Sequence, residues 1–393
     1  MRSSVIAGAL LGTLALAQLD DGGFSGLPEE PPIDYGTSRP DDPVARLHVD
    51  PAAIKYEEPA GYLRSVLEAL KIPVESQIAV FARNSLQKRI ISPERPRTIF
   101  FNDSVAVGWV PGEPFVEIAA QDPSQGIIFY TLEQSSHTMP RFVRQTDLCL
   151  ACHESYSTLR VPGMMVRSVF PSPDGTPIRP LGDALVDHRT PFPKRWGGWF
   201  VTGKTDLLGH LGNAVWNDES SAESVAPPLA DGRYLSPHSD MVALMVFEHQ
   251  MRMMNLLTVT GWEFRLAEHE RRKSHDVLDA RVNDLVNYML FVDEARLPSR
   301  VTGTSGFAEK FPALGPRDRR GRSLRQLDLE HRLMRYPCSY MIYSDAFEAL
   351  PAAAKDAIYH RMFEVLKTRP AEDRDNVIEI LRDTKSALPA YFK

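Results

Sequence analysis

The sequence predicts an α+β fold, an antiparallel β-rich part followed by an all-helical C-terminal part. Between about Arg97 and Asn213 the apolar residues come as short β-branched or aromatic runs separated by turn residues. From about Pro237 onward they recur at helical spacing instead. A hydrophobic content of 43% over 393 residues is enough to bury one large core or two ordinary ones.

The elements follow in order. Arg2 gives a positive start, Val5 to Leu14 an apolar stretch, and Ala15-Leu16-Ala17 a small-x-small cleavage site. Residues 1–17 therefore read as a signal peptide, and a periplasmic or secreted chain is expected to begin at Gln18. The apolar stretch is too short to cross a bilayer, so no integral membrane span is expected after cleavage. Residues 18–51 are rich in Asp, Gly and Pro and read as a disordered tether.

Residues 52–236 form the predicted β-rich part. Tyr62, Val66 and Leu70 suggest a short helix over Ala60 to Leu70. Strands are expected at 98–101, 105–110, 115–119 and 127–132. Asn102-Asp103, Pro111-Gly112-Glu113 and residues 121–126 separate them, and such turns favour an antiparallel meander. Two more strands are expected at 165–170 and 199–202. Residues 237–393 form the helical part. Val242, Met245, Val246, His249, Met253, Leu256 and Leu257 make one apolar stripe. Further helices are expected around 277–292, 327–335, 352–366 and 373–388, with a charged, solvated loop at Arg317 to Arg322.

Between the strands stands Cys149-Leu150-Ala151-Cys152-His153. This is C-x-x-C-H, the attachment signal of a c-type haem. Two thiols add to the two porphyrin vinyl groups, and the adjacent His turns onto the iron. A zinc site would want a second Cys/His pair, but the only other cysteine is Cys338, far downstream in an apolar run. A redox dithiol would open a helix after a strand in a βαβ unit, and the flanks show none. One covalent haem c per chain is expected, with Cys149, Cys152 and His153 as the residues that hold it.

The motif resembles the attachment site of c-type cytochromes. Together with Val161-Pro162-Gly163, Arg195-Trp196-Gly197-Gly198-Trp199 and His210-Leu211-Gly212-Asn213, it is similar to an uncharacterised family of exported monohaem proteins of environmental bacteria. That resemblance implies a haem but no known activity. Well over a hundred residues precede the motif, so the small helical cytochrome fold is not implied.

The iron's sixth position decides the chemistry. A His or Met there makes an electron carrier, and an open site admits peroxide or a diatomic gas. His249 is the first candidate because it sits on the apolar stripe, where an imidazole lacking a partner is costly. His210, Met164 and Met165 are the others. Arg144, Arg160, Arg167 and Arg195 are candidate partners for the haem propionates, and Trp196 and Trp199 are candidates to pack on the porphyrin. The formal net charge is -6, and losing Arg2 makes it -7, which argues against a nucleic-acid partner. The expected function is electron transfer with redox partner proteins. The alternative is a haem peroxidase or gas sensor with an open distal site, and a structural docking role is a third reading.

Overall fold

Six successive strands pair in chain order, and polar turns at 102–104, 110–114 and 123–125 fold the middle four back on one another. The computed structural model describes residues 31–47, 53–206, 209–217, 221–270, 276–297 and 299–392. The proposed signal peptide and residues 18–30 and 48–51 of the proposed tether lie outside them.

The sheet contains β1 (Ile78–Val80), β2 (Arg97–Phe101), β3 (Val105–Trp109), β4 (Phe115–Asp122), β5 (Gly126–Glu133) and β6 (Phe142–Gln145). After a hairpin of β7 (Val166–Val169) and β8 (Asp183–Val186), the chain adds β9 (Trp199–Phe200) beside β1. The seven-stranded order is β6-β5-β4-β3-β2-β1-β9, and every pairing is antiparallel.

Side chains alternate across this sheet, so both faces need cover. One face puts Ile78, Ile99, Phe101, Ala119, Ile127 and Phe129 into a core shared with the helical part. The other puts Phe100, Val107, Trp109, Ile118 and Tyr130 against a short helix, α1 (Leu63–Ala69). Residues 31–47 cover this second face as well. Tyr35 is fully buried and its hydroxyl donates to the Ile127 carbonyl at 2.7 Å, while Ile33 and Val44 join the same core. This stretch of the expected tether is therefore packed structure. Three apolar anchors spaced among the prolines hold it.

The C-terminal part carries the long helices; a short strand, Val301–Thr302, pairs with Lys204–Thr205, and residues 314–339 are irregular. Its centre is α3 (Met241–His269), followed by α4 (Asp276–Met289) and by helices at Ala352–Lys367 and Ala371–Thr384. Asp240 caps α3, accepting from the Val242 and Ala243 amides. The helix is buried nearly all round, including Glu248, His249, Gln250 and Asn255. Its polar residues act as anchors. Gln250, for example, donates to the Asn102 carbonyl and accepts from the Tyr340 hydroxyl. One core crosses the expected boundary at 236/237, so the sheet and α3 stabilise each other.

The expected helix at 327–335 is absent. Asp328 Oδ1 accepts the Glu330 and His331 amides, Leu329 has φ 62°, and Leu327 bridges Met334. An Asx turn outcompetes the helix there. The loop at 317–322 is tied by ion pairs of Arg319 to Asp383 and of Arg320 and Arg322 to Glu379.

Candidate functional site

The motif forms a single helical turn, α2 (Leu150–His153), with Cys149 as its N-cap. The amide of His153 donates to the Cys149 carbonyl at 2.9 Å. Residues three apart on a helical turn are neighbours, so the two thiols share one side. Cys149 is half-buried and packs against the shared core, Cys152 is exposed, and neither is in a disulfide.

Burial, reinforced by the Glu117 carboxylate, pushes the Cys149 thiol up to about 11. A redox-active C-x-x-C needs the opposite shift, because the thiolate is the nucleophile. Glu117 is held by Arg97 at 2.6 Å, and the Arg97 guanidinium lies over Gly108 of the neighbouring strand. A Cβ at Gly108 would come within 2.2 Å of that guanidinium, so a larger residue there would push the Arg97 side chain aside.

His153 is mounted from behind. Its Nδ1 lies 2.8 Å from the Gly163 carbonyl, which only accepts, so Nδ1 carries the proton. The amide of Gly163 donates back to the His153 carbonyl at 2.9 Å, and Thr158 Oγ1 donates to it at 3.2 Å. Leu159 and Arg160 reverse the chain between them with φ 63° and 59°, a conformation costly for side-chain-bearing residues.

The mount is fixed to both halves of the molecule. The Ile127 amide of β5 donates to the Pro162 carbonyl at 2.9 Å. Asn255 of α3 accepts from the Met164 amide at 3.2 Å and donates to the Met164 carbonyl at 2.8 Å. A Cβ on Gly163 would meet Asn255 Oδ1 at 2.2 Å, so only glycine allows this approach. The ring of Phe129 stands 4.8 Å from that of His153. Burial lowers the His153 pKa, which keeps the imidazole neutral near pH 7. Its Nε2 makes no hydrogen bond among the described residues.

This donor set fits haem better than bare zinc. No three His, Cys, Asp or Glu side chains among the described residues converge as a metal's ligands would. A porphyrin brings four nitrogen donors of its own, so one protein imidazole is enough to mount its iron.

His249 does not fit the distal role. Its Nδ1 is 2.8 Å from Nδ1 of His188, and its Nε2 is 2.8 Å from Ser339 Oγ. Both ring nitrogens are satisfied by protein, and the ring stacks on Phe291 at 4.6 Å and Tyr288 at 5.3 Å. The α3 residue that meets the His153 loop is Asn255. It lies about 9 Å further along the axis and about 240° round the helix. The stripe position of His249 reflects packing of α3 against α4, the turn at Ser339 and the His188 turn of the N-terminal part.

The other candidates are placed as follows. His210 accepts the Gly212 amide at Nδ1 and packs on Trp196 at 5.3 Å. Met164 and Met165 continue the loop tied to the Nδ1 edge of His153, whereas Nε2 is on the other edge. Arg144 donates to the Tyr35 and Ser38 carbonyls, Arg160 to the Tyr156 hydroxyl, and Arg167 to Asp183. Arg195 is buried in an ion pair with Glu248. Trp196 donates to Glu248 and Trp199 to the Arg167 carbonyl, both as core residues.

Sequence reasoning assigned no role to Gly163 or Asn255. The one available signal was a lone amide side chain in the apolar run Met253 to Leu257. No protein-family model matches the chain, and comparison with curated proteins and with solved structures returned no match.

Proposed function

We propose that this chain is an exported c-type haem protein that transfers electrons between redox partner proteins. Cys149 and Cys152 would hold one porphyrin covalently, and His153 would ligate its iron through Nε2. When bound, the haem supplies one-electron redox chemistry. The observation that supports this reading most is the hydrogen bond from His153 Nδ1 to the Gly163 carbonyl. Metal-ligating histidines use their other ring nitrogen in this way, which fixes tautomer and orientation.

The chain's own residues do three jobs on this reading. Gly163 holds the proton on Nδ1 and so keeps the Nε2 lone pair available. Asn255 and Pro162 stop the imidazole mount from drifting, and a fixed mount lowers the reorganisation that accompanies electron transfer. Phe129 excludes water from one side of the ring.

The alternative is a haem peroxidase or gas sensor with an open distal site. A cleft of about 360 Å³ borders the same loop and is lined by Met164, Met165, Arg189 and Arg252, but it lies on the Nδ1 side of His153 and so does not itself supply the distal face. Acid–acetone extraction tests the cofactor, since the colour should stay with the polypeptide. A reduced spectrum with and without carbon monoxide then separates the two functions. An unchanged spectrum favours the electron carrier, and a carbon monoxide adduct favours the open site.

A further inference from the structure

The cleft beside the His153 loop lies between the β7–β8 hairpin and α3. On the α3 side it is lined by Glu248, Met251, Arg252 and Asn255, at the three- and four-residue spacing of one helical stripe. Its two acids and two bases balance in number, but they do not pair with one another evenly. Asp187 is taken by Arg189, through Nε at 3.1 Å and Nη2 at 2.6 Å. Glu248 is taken by Arg195 and by the Trp196 indole. That leaves the Arg252 guanidinium with no hydrogen bond or ion pair among the described residues, and its Nε is buried without a partner.

Burial depresses the Arg252 pKa, reinforced by the Arg189 cation and partly offset by Asp187, by Tyr288 and by Asp284 of α4. Arg252 is half-buried with its Nε shut off from solvent, and a guanidinium left without a hydrogen-bonded counterion in such a wall suits a carboxylate's two oxygens. The remaining walls are mainly Met164, Met165, Met251, Val166 and Leu185. The ligand should therefore pair one carboxylate with an apolar body, and the volume suits a small molecule.

We propose that this cleft is a binding site for an apolar carboxylate, with Arg252 as its anchor. Two sources share that chemistry, a propionate of the haem itself and a free aromatic or short-chain acid. The first source rests on the proposed haem, and the second does not.

The test uses the purified full chain as isolated, with haem content measured by pyridine haemochrome. Benzoate is the probe and benzamide its neutral control. If a free acid is the ligand, benzoate raises the unfolding midpoint of the wild type and benzamide does not. In R252Q the apparent benzoate affinity then falls at least tenfold, and R252K, which keeps the charge and loses the planar fork, falls in between. If a propionate is the ligand, benzoate is inert and both variants lower the haem's reduction potential, R252Q more than R252K. Weakening or removing a cation paired with a propionate would disfavour the more negative reduced state. The proposal is overturned if benzoate is inert and the potential is unchanged in both variants. In a haem-free preparation the haem reading fails by itself, and an inert benzoate there overturns the carboxylate site too.

Discussion

Two histidines in this molecule are each held through Nδ1, one by a backbone carbonyl and one by a second imidazole, and they differ at Nε2. His153 and His249 are each engaged through Nδ1, at 2.8 Å in both cases. His249 also spends Nε2 on Ser339, whereas His153 leaves Nε2 without a partner among the described residues. A buried imidazole fully satisfied by protein is a structural element. One held by a single nitrogen in a short turn beside two free thiols is available for coordination. Burial alone, which put His249 forward in the sequence, does not separate the two cases.

The largest effect expected from this contrast is all-or-none. C149S/C152S should lose covalent colour entirely after acid–acetone extraction. H153A should retain the thioether links and change the haem spectrum, whereas H249N should leave the spectrum as it is. A spectral change in H249N would break the comparison.

The mount itself comes next. G163A drives a methyl group into Asn255 and should cost about 3 kcal/mol in urea unfolding, as overpacking does. N255A removes two hydrogen bonds and should cost about 2 kcal/mol. Because the clash needs Asn255, the double variant should be clearly less destabilised than the sum of the two. Additive costs would mean that the contact does not matter.

A smaller effect concerns His249 alone. H249N should lower stability by about 1–2 kcal/mol, the cost of a lost buried hydrogen bond, with haem content unchanged.

The smallest is a drift with pH. Burial holds His249 down at about 3 and His188 well below its ordinary value, with the His249 ring adding to the effect on His188. Below about pH 6.5 the unfolded chain binds protons that the folded chain refuses, so stability falls as pH falls. Over the first unit below 6.5 the loss should be under about 1 kcal/mol per histidine. The unfolding midpoint of H188N/H249N should show a flatter dependence in that window, and equal slopes would remove the pair from the account.

Much of the frame was legible in the sequence because it rests on local periodicity. Strands β2 to β5 and helices α3 and α4 announce themselves by spacing. Strand β1 has three residues and β6 carries Arg144 and Gln145, so neither shows an alternation long enough to notice. The misread helix at 327–335 had apolar residues at helical intervals, and a single Asp side chain turned it elsewhere. For the site, the motif was visible and its support was not. Gly163 matters because Asn255 approaches it, and His249 is satisfied because His188 and Ser339 reach it. Those partners stand 61 and 90 residues away in the chain. No window of sequence contains both ends of such a contact.

The bond between Met164 and Asn255 spans 91 residues. A chain emerging from its N-terminus lays down both thiols well before the side chain that finishes the histidine's mount. Contacts of such long range close late in folding, after the local turn of α2 can already have formed. In a chain that folds in that order, Cys149 and Cys152 belong to a loop on an uncovered sheet until α3 docks. On the proposed haem reading, that order would let thioether chemistry at the thiols precede the rigid imidazole, which waits for the second half of the chain to dock.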